Sequence, residues 1–141
     1  MNKLSRVYIK TALLFLLMGV LTGLHISSAK YLAAGSTFPP YIVAHTHMLM
    51  IGFFLLTGMG VALWKLPDAP AGSRYREGIA WLVFFLLVPG SILRYVFEIW
   101  LGYYPSDQLQ PIPIAVFSVS CVQVGALCLF IWNLWPRIHG K

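Results

Sequence analysis

Charge is what this sequence has least of. Only 10% of its 141 residues are charged, and four of them are acidic, while 59% are hydrophobic. A chain with so little polar surface to offer water is too apolar for a soluble domain of this size. It also lacks internal repeats and low-complexity tracts. No phosphate-binding loop, nucleophile–base arrangement or pair of acids is present, so nothing supports a hydrolase or kinase. Cysteine is scarce. Cys121 and Cys128 stand seven residues apart, about 10 Å along a helix axis, too far for an internal disulfide. They are expected to be small buried apolar residues that report no redox compartment.

What is present is apolar length. Four runs, about Val7–Ser28, Tyr41–Trp64, Gly78–Gly102 and Pro111–Trp135, approach or exceed the roughly 20 residues that cross hydrocarbon as a helix. Nothing outside them is long enough to fold alone. The expectation is one all-α integral membrane domain over residues 1–141 with four transmembrane helices. Pro39-Pro40 and Pro111/Pro113 suit the starts of descending helices, where a missing amide donor costs little.

The net charge of +6 raises the question of nucleic acid, but its placement answers it. Lys3, Arg6 and Lys10 precede the first run or fall in its first turn; Lys65, Arg74 and Arg76 lie between the second and third; Arg137 and Lys141 follow the fourth. The opposite loops hold Lys30 alone. Basic residues gather on the cytoplasmic side, so both termini are expected in the cytoplasm of a bacterial-type inner membrane. The partner implied is the lipid bilayer, not nucleic acid. Tyr31, Phe38, Tyr41, Trp100, Tyr103 and Tyr104 are expected at the outer interface, and Trp64, Trp81, Trp132 and Trp135 at the inner one. Basic residues before an apolar run, with Ser27-Ser28-Ala29 after it, would also suit a cleaved secretory signal; a retained first span is the expectation.

Polar residues inside the spans are costly and need a reason. With this topology His25, His45 and His47 share one layer, roughly 6–9 Å below the outer boundary; His139 falls in the basic tail. Residues at i and i+2 of a helix point about 200° apart. His45 and His47 therefore address opposite sides of the second span and do not converge on one ion. That suits a helix standing between two planar cofactors, and neutral imidazole is an axial ligand of haem iron. Three readings compete: haem ligation, histidines that only hydrogen-bond across helices, and copper. Copper draws on Met48 and Met50, which follow the histidines at i+3, although methionine in an apolar span usually packs. Zinc has no thiolate or acid nearby in sequence.

Arg94 and Glu98, at i, i+4 in the third span, can neutralise each other. Arg94 could instead pair with a haem propionate, since guanidinium and carboxylate fork together. Pro89-Gly90 is expected to kink the same helix. Gly19 and Gly23 let the first helix approach another closely or leave room for a macrocycle. Gln123 is expected to bond between helices.

The stretch Ala44-His45-Thr46-His47-Met48-Leu49-Met50-Ile51-Gly52-Phe53-Phe54 resembles the tenth transmembrane helix of haem–copper oxidase subunit I, in particular that of nitric oxide reductases and cbb3-type oxidases. In that family an Ala-His-x-His stretch binds the high-spin haem through its first histidine and the low-spin haem through its second. The resemblance therefore implies those roles for His45 and His47. The family's subunit has about twelve spans in three arcs of four, with further histidines for a non-haem metal; this chain has one arc's worth and lacks the adjacent His-His pair. The resemblance implies a homotrimer recreating the ring, with a haem at each interface between His45 of one chain and His47 of the next. His25 is a third candidate ligand, or holds a haem within one protomer together with His45 or His47. Without a Cys-x-x-Cys-His motif the haem is expected to be non-covalent haem b. The expected function is electron transfer with a redox partner protein. The alternatives are a gas-sensing or haem- or copper-handling accessory protein, a plain structural subunit, and a transporter.

Overall fold

A computed structural model describes residues 1–32, 35, 39–104 and 110–138. The expectations for Phe38, His139 and Lys141 lie outside the described residues. Among the described residues all regular structure is helical. Four segments, Lys3–Tyr31, Pro39–Lys65, Glu77–Tyr103 and Ile112–Ile138, are long and apolar enough to cross a membrane. The first is α1. The second consists of α2 (Pro39–His47), a π-helical stretch (Met48–Leu55) and α3 (Leu56–Lys65). The third and fourth are α4 (Glu77–Tyr103) and α5 (Ile112–Ile138).

Local chemistry sets the ends. The Asn2 side chain accepts from the Ser5 amide at 2.8 Å, satisfying one of the donors that a helix start leaves free. Pro39 and Pro40 open α2, Glu77 sits in the first turn of α4 where the helix dipole favours an anion, and Pro67 follows the last turn of α3. Helix α4 continues through Pro89 to Tyr103.

Consecutive spans pack on one another in chain order. The glycines explain how closely the first two approach. A Cβ at Gly19 would lie 2.5 Å from Leu49 Cδ2, one at Gly52 2.7 Å from Phe15 Cδ2, and one at Gly60 2.8 Å from Ile9 Cγ1. Each glycine thus seats a side chain of the facing helix, the small-residue packing used where lipid supplies no hydrophobic drive. Gly58 faces open space.

The core lies toward the end that carries the start of α1 and the end of α5. There Tyr8, Phe15, Leu56, Leu63, Val83, Phe84, Leu87 and Phe130 are buried together, and the Tyr8 hydroxyl donates to the Ala80 carbonyl at 2.7 Å. Leu14, Leu17, Leu24, Phe85, Phe117 and Val124 are more than half exposed, an apolar exterior that suits a bilayer and not water.

Two expectations need correction. Cys121 and Cys128 are exposed on α5; a sulfur atom costs nothing against an apolar surround, so burial was not required. Tyr41 is buried. Its ring meets those of His25 and Tyr103 edge-on, both at 5.4 Å, and its Cβ fills the place that a side chain at Gly102 would take. Tyr31, Trp64, Trp100, Tyr103, Tyr104, Trp132 and Trp135 are exposed, and Trp81 is partly so.

Arg137 is a residue whose role position in sequence hid. It is buried near the end of α5 and donates to the carbonyls of Pro67 at 2.8 Å, Leu66 at 2.6 Å and Leu63 at 3.3 Å. Those oxygens belong to the C-terminal end of α3 or follow it, where carbonyls lack intrahelical partners and the dipole favours a cation. Beside it, the Asn133 amide bonds both the N–H and the C=O of Arg76, tying α5 to the entrance of α4.

Candidate functional site

His45 and His47 stand at the end of α2, where the backbone is still α-helical, so the i, i+2 separation of about 200° applies to them. They meet different neighbours. His45 turns to α1, where its Nδ1 lies 2.7 Å from the Gly19 carbonyl oxygen. His47 turns to α4, where its Nδ1 lies 2.9 Å from Glu98 Oε1 and 3.1 Å from Oε2.

Both acceptors are oxygens without a proton to give, so the imidazoles must be the donors. Each ring therefore carries a proton on Nδ1, and in its neutral form has its lone pair on Nε2. Neither Nε2 has a hydrogen-bond partner among the described residues. A histidine whose Nδ1–H is held by a carbonyl or carboxylate, with Nε2 bare, is arranged as metal-bound histidines are.

Gly23 is the seat for the His45 ring. A Cβ there would come within 2.7 Å of His45 Cε1 and 3.1 Å of Nδ1. Gly23→Ala is therefore expected to push the ring off the Gly19 carbonyl and to cost about 1–3 kcal/mol. Gly58→Ala, which meets nothing within 4 Å, should be near neutral; unfolding of both variants in mixed detergent micelles checks this.

His25 lies two residues beyond Gly23 toward the end of α1, edge-on to Tyr41. Its Nδ1 is buried without a hydrogen-bond partner among the described residues. Tyr41 precedes His45 by one helical turn, so His25 and His45 belong to the same seam between α1 and α2. Below them Thr22 donates to the Met18 carbonyl at 2.8 Å and receives the Tyr95 hydroxyl at 2.5 Å.

Arg94 is engaged with neighbours inside the protein. Its Nε donates to Glu98 Oε1 at 2.8 Å and its Nη1 to Gln123 Oε1 at 3.3 Å. Gln123, buried on α5, then donates to Ser91 Oγ at 3.0 Å. Gly90 admits it: a Cβ there would lie 3.4 Å from Gln123 Cγ. A continuous polar chain results, from His47 through Glu98 and Arg94 to Gln123 and Ser91, linking three spans.

Met48 is in the buried core and Met50 is exposed, so the two thioethers diverge as the histidines do. Among the described residues no three His, Cys, Asp or Glu side chains gather as a metal cluster. Directly after His47 the backbone ladder changes to π-helix for eight residues, a departure that elsewhere often marks functional positions; nothing in the sequence pattern signals it.

Comparison with protein-family models, with curated proteins and with solved structures finds no match to this chain.

Proposed function

We propose that the chain is a membrane haem b protein, related to haem–copper oxidase subunit I, that transfers electrons through histidine-ligated iron. The observation carrying this reading is the pair of imidazoles, each with Nδ1 anchored to a fixed oxygen and Nε2 without a hydrogen-bond partner among the described residues. Haem iron needs one or two such nitrogens from the protein and no cluster of three. The donor set therefore fits a macrocycle with axial imidazoles better than an ion that the side chains alone must surround.

A haem b held on these nitrogens supplies one-electron exchange. The protein's own part is to orient each ring through its Nδ1–H. Because the rings diverge, one protomer offers them to different partners. We extend the proposal to a homotrimer in which His45 of one chain and His47 of the next flank each haem, a head-to-tail contact that closes on itself. The His47 side chain is 28% exposed, which suits a ligand completed from outside. His25, with its partnerless Nδ1, fits a ligand or hydrogen-bond role in the seam beside His45. Arg94, committed to Glu98 and Gln123, supports the histidine layer by holding Glu98 in place. The orientation belongs to the same proposal: both termini in the cytoplasm and the histidine layer near the outer face of a bacterial-type inner membrane.

The test is an optical spectrum of the full chain purified from haem-supplied cells, with iron and copper counted per chain. Sharp reduced bands that carbon monoxide leaves unchanged are expected. Bands shifted by carbon monoxide would move the function to gas sensing. No Soret band, or copper in place of iron, would overturn the haem reading.

A further inference from the structure

Resting on the haem reading above, we infer that Glu98 is a positioning residue that makes His47 the more strongly donating of the two imidazoles and lowers the reduction potential of the iron it binds.

The two rings have chemically unlike partners. His45 Nδ1 meets the neutral carbonyl of Gly19, whereas His47 Nδ1 meets a carboxylate with both oxygens in reach, at 2.9 and 3.1 Å. The Glu98 side chain is only 4% exposed. Little water screens its charge there, and a charge acts more strongly on a neighbour in a low-dielectric surround. A carboxylate facing Nδ1–H draws that proton outward more than a neutral carbonyl does and leaves more electron density at Nε2. A more electron-rich nitrogen favours the ferric over the ferrous state.

The carboxylate is also kept from turning. Arg94 Nε, one turn earlier on α4, holds Oε1 at 2.8 Å, and Arg94 is steadied by Gln123 on α5, itself bonded to Ser91. Arg94 offsets part of the charge, so the buried acid is paired and not isolated. Glu98 thus reaches His47 from a frame set by two other spans. His45 has no comparable device: its acceptor is a backbone oxygen that no side-chain substitution can remove. One chain therefore presents two imidazoles of different donor strength, set apart by a single acidic residue.

Glu98→Gln separates charge from shape, because its amide oxygen still accepts from Nδ1 while the charge is gone. In full-length protein with nitrogen-15 histidine and no haem, wild-type His47 should give a strongly hydrogen-bonded Nδ1–H signal with a bare Nε2. Glu98→Gln should weaken that bond, and Glu98→Leu should let the ring change tautomer while His45 stays as it was. With haem bound, Glu98→Gln should raise the potential of the haem that His47 ligates by about 59 mV, a tenfold change in the ferrous-to-ferric ratio for one electron. Glu98→Asp should bring it back toward wild type. Bound haem whose potential ignores both substitutions, with an unchanged His47 nitrogen spectrum, overturns the role of Glu98 and leaves the haem reading standing. Failure of the wild type to bind haem overturns the haem reading and the potential assignment with it. The haem-free nitrogen spectrum then still decides whether Glu98 orients His47.

Discussion

His45→Ala and His47→Ala are each expected to lower retained haem at least about a hundredfold, since loss of even an outer partner of a metal ligand costs about 10–100-fold. Soret absorbance per chain, at matched yields of folded protein, measures it. Co-expression of the two variants then tests how the haem is shared. A chain with only His45 beside a chain with only His47 restores a complete pair at one interface of a mixed ring, so part of the haem should return. Ligation within one protomer, by His25 with His45 or with His47, would instead leave one of the two single variants with its haem, because that chain keeps both of its ligands. Full haem retention by both single variants would remove the ligand assignment altogether. Neither substitution removes core packing: both rings are partly exposed, and the buried cluster lies elsewhere. A loss of haem far larger than the modest loss of stability from the missing bonds to Gly19 and Glu98 is therefore the expected pairing.

Arg137→Ala should destabilise the chain by about 2–4 kcal/mol, since hydrogen bonds to a charged group contribute about 1.5–3 kcal/mol each and are not additive. Three carbonyls, those of Leu63, Leu66 and Pro67, lose their donor together. Arg137→Lys should recover part of this but not all. An ammonium is a compact donor without the planar fork that spreads across several oxygens, and it would also give up the stacking of the guanidinium 5.0 Å from the Tyr75 ring. Unfolding titrations in mixed micelles measure the loss, and proteolysis of the segment between α3 and α4 gives a second readout. An alanine variant as stable as wild type would mean that water satisfies the α3 carbonyls at no cost.

The four spans were legible in the sequence because crossing hydrocarbon demands length and apolarity, and both are local properties. The expected runs and the observed helices differ by a few residues at each end. The divergence of His45 and His47 was legible for the same reason. It follows from the pitch of one helix, whatever packs around it. Gly19 and Gly23 could be read as a close-packing pair, but not which side chains they would admit; Leu49 and the His45 ring fill them because of the rotation of the second span against the first.

What only the tertiary structure decided is which groups meet across helices. Arg94 and Glu98 were visible as an i, i+4 pair, but the second bond of Glu98, to His47, depends on the facing angle of α4 and α2, which no single-helix periodicity contains. Arg137 could be read only as one of the basic residues on the inner side; it is buried because α5 ends beside the carbonyls at the end of α3. Tyr41 read as an interface aromatic and is buried because Gly102 leaves space for it. Cys121 and Cys128 read as buried and face outward, since in an apolar solvent hydrophobicity no longer distinguishes inside from outside. In a membrane the sequence by itself determines the spans and, wherever the helix stays α, the azimuth of each residue on its own helix; the π-helical stretch after His47 is an exception. The azimuth of one helix against the next is set by packing shape and polar pairing, and so the partners of His45, His47 and Arg137 were decided there.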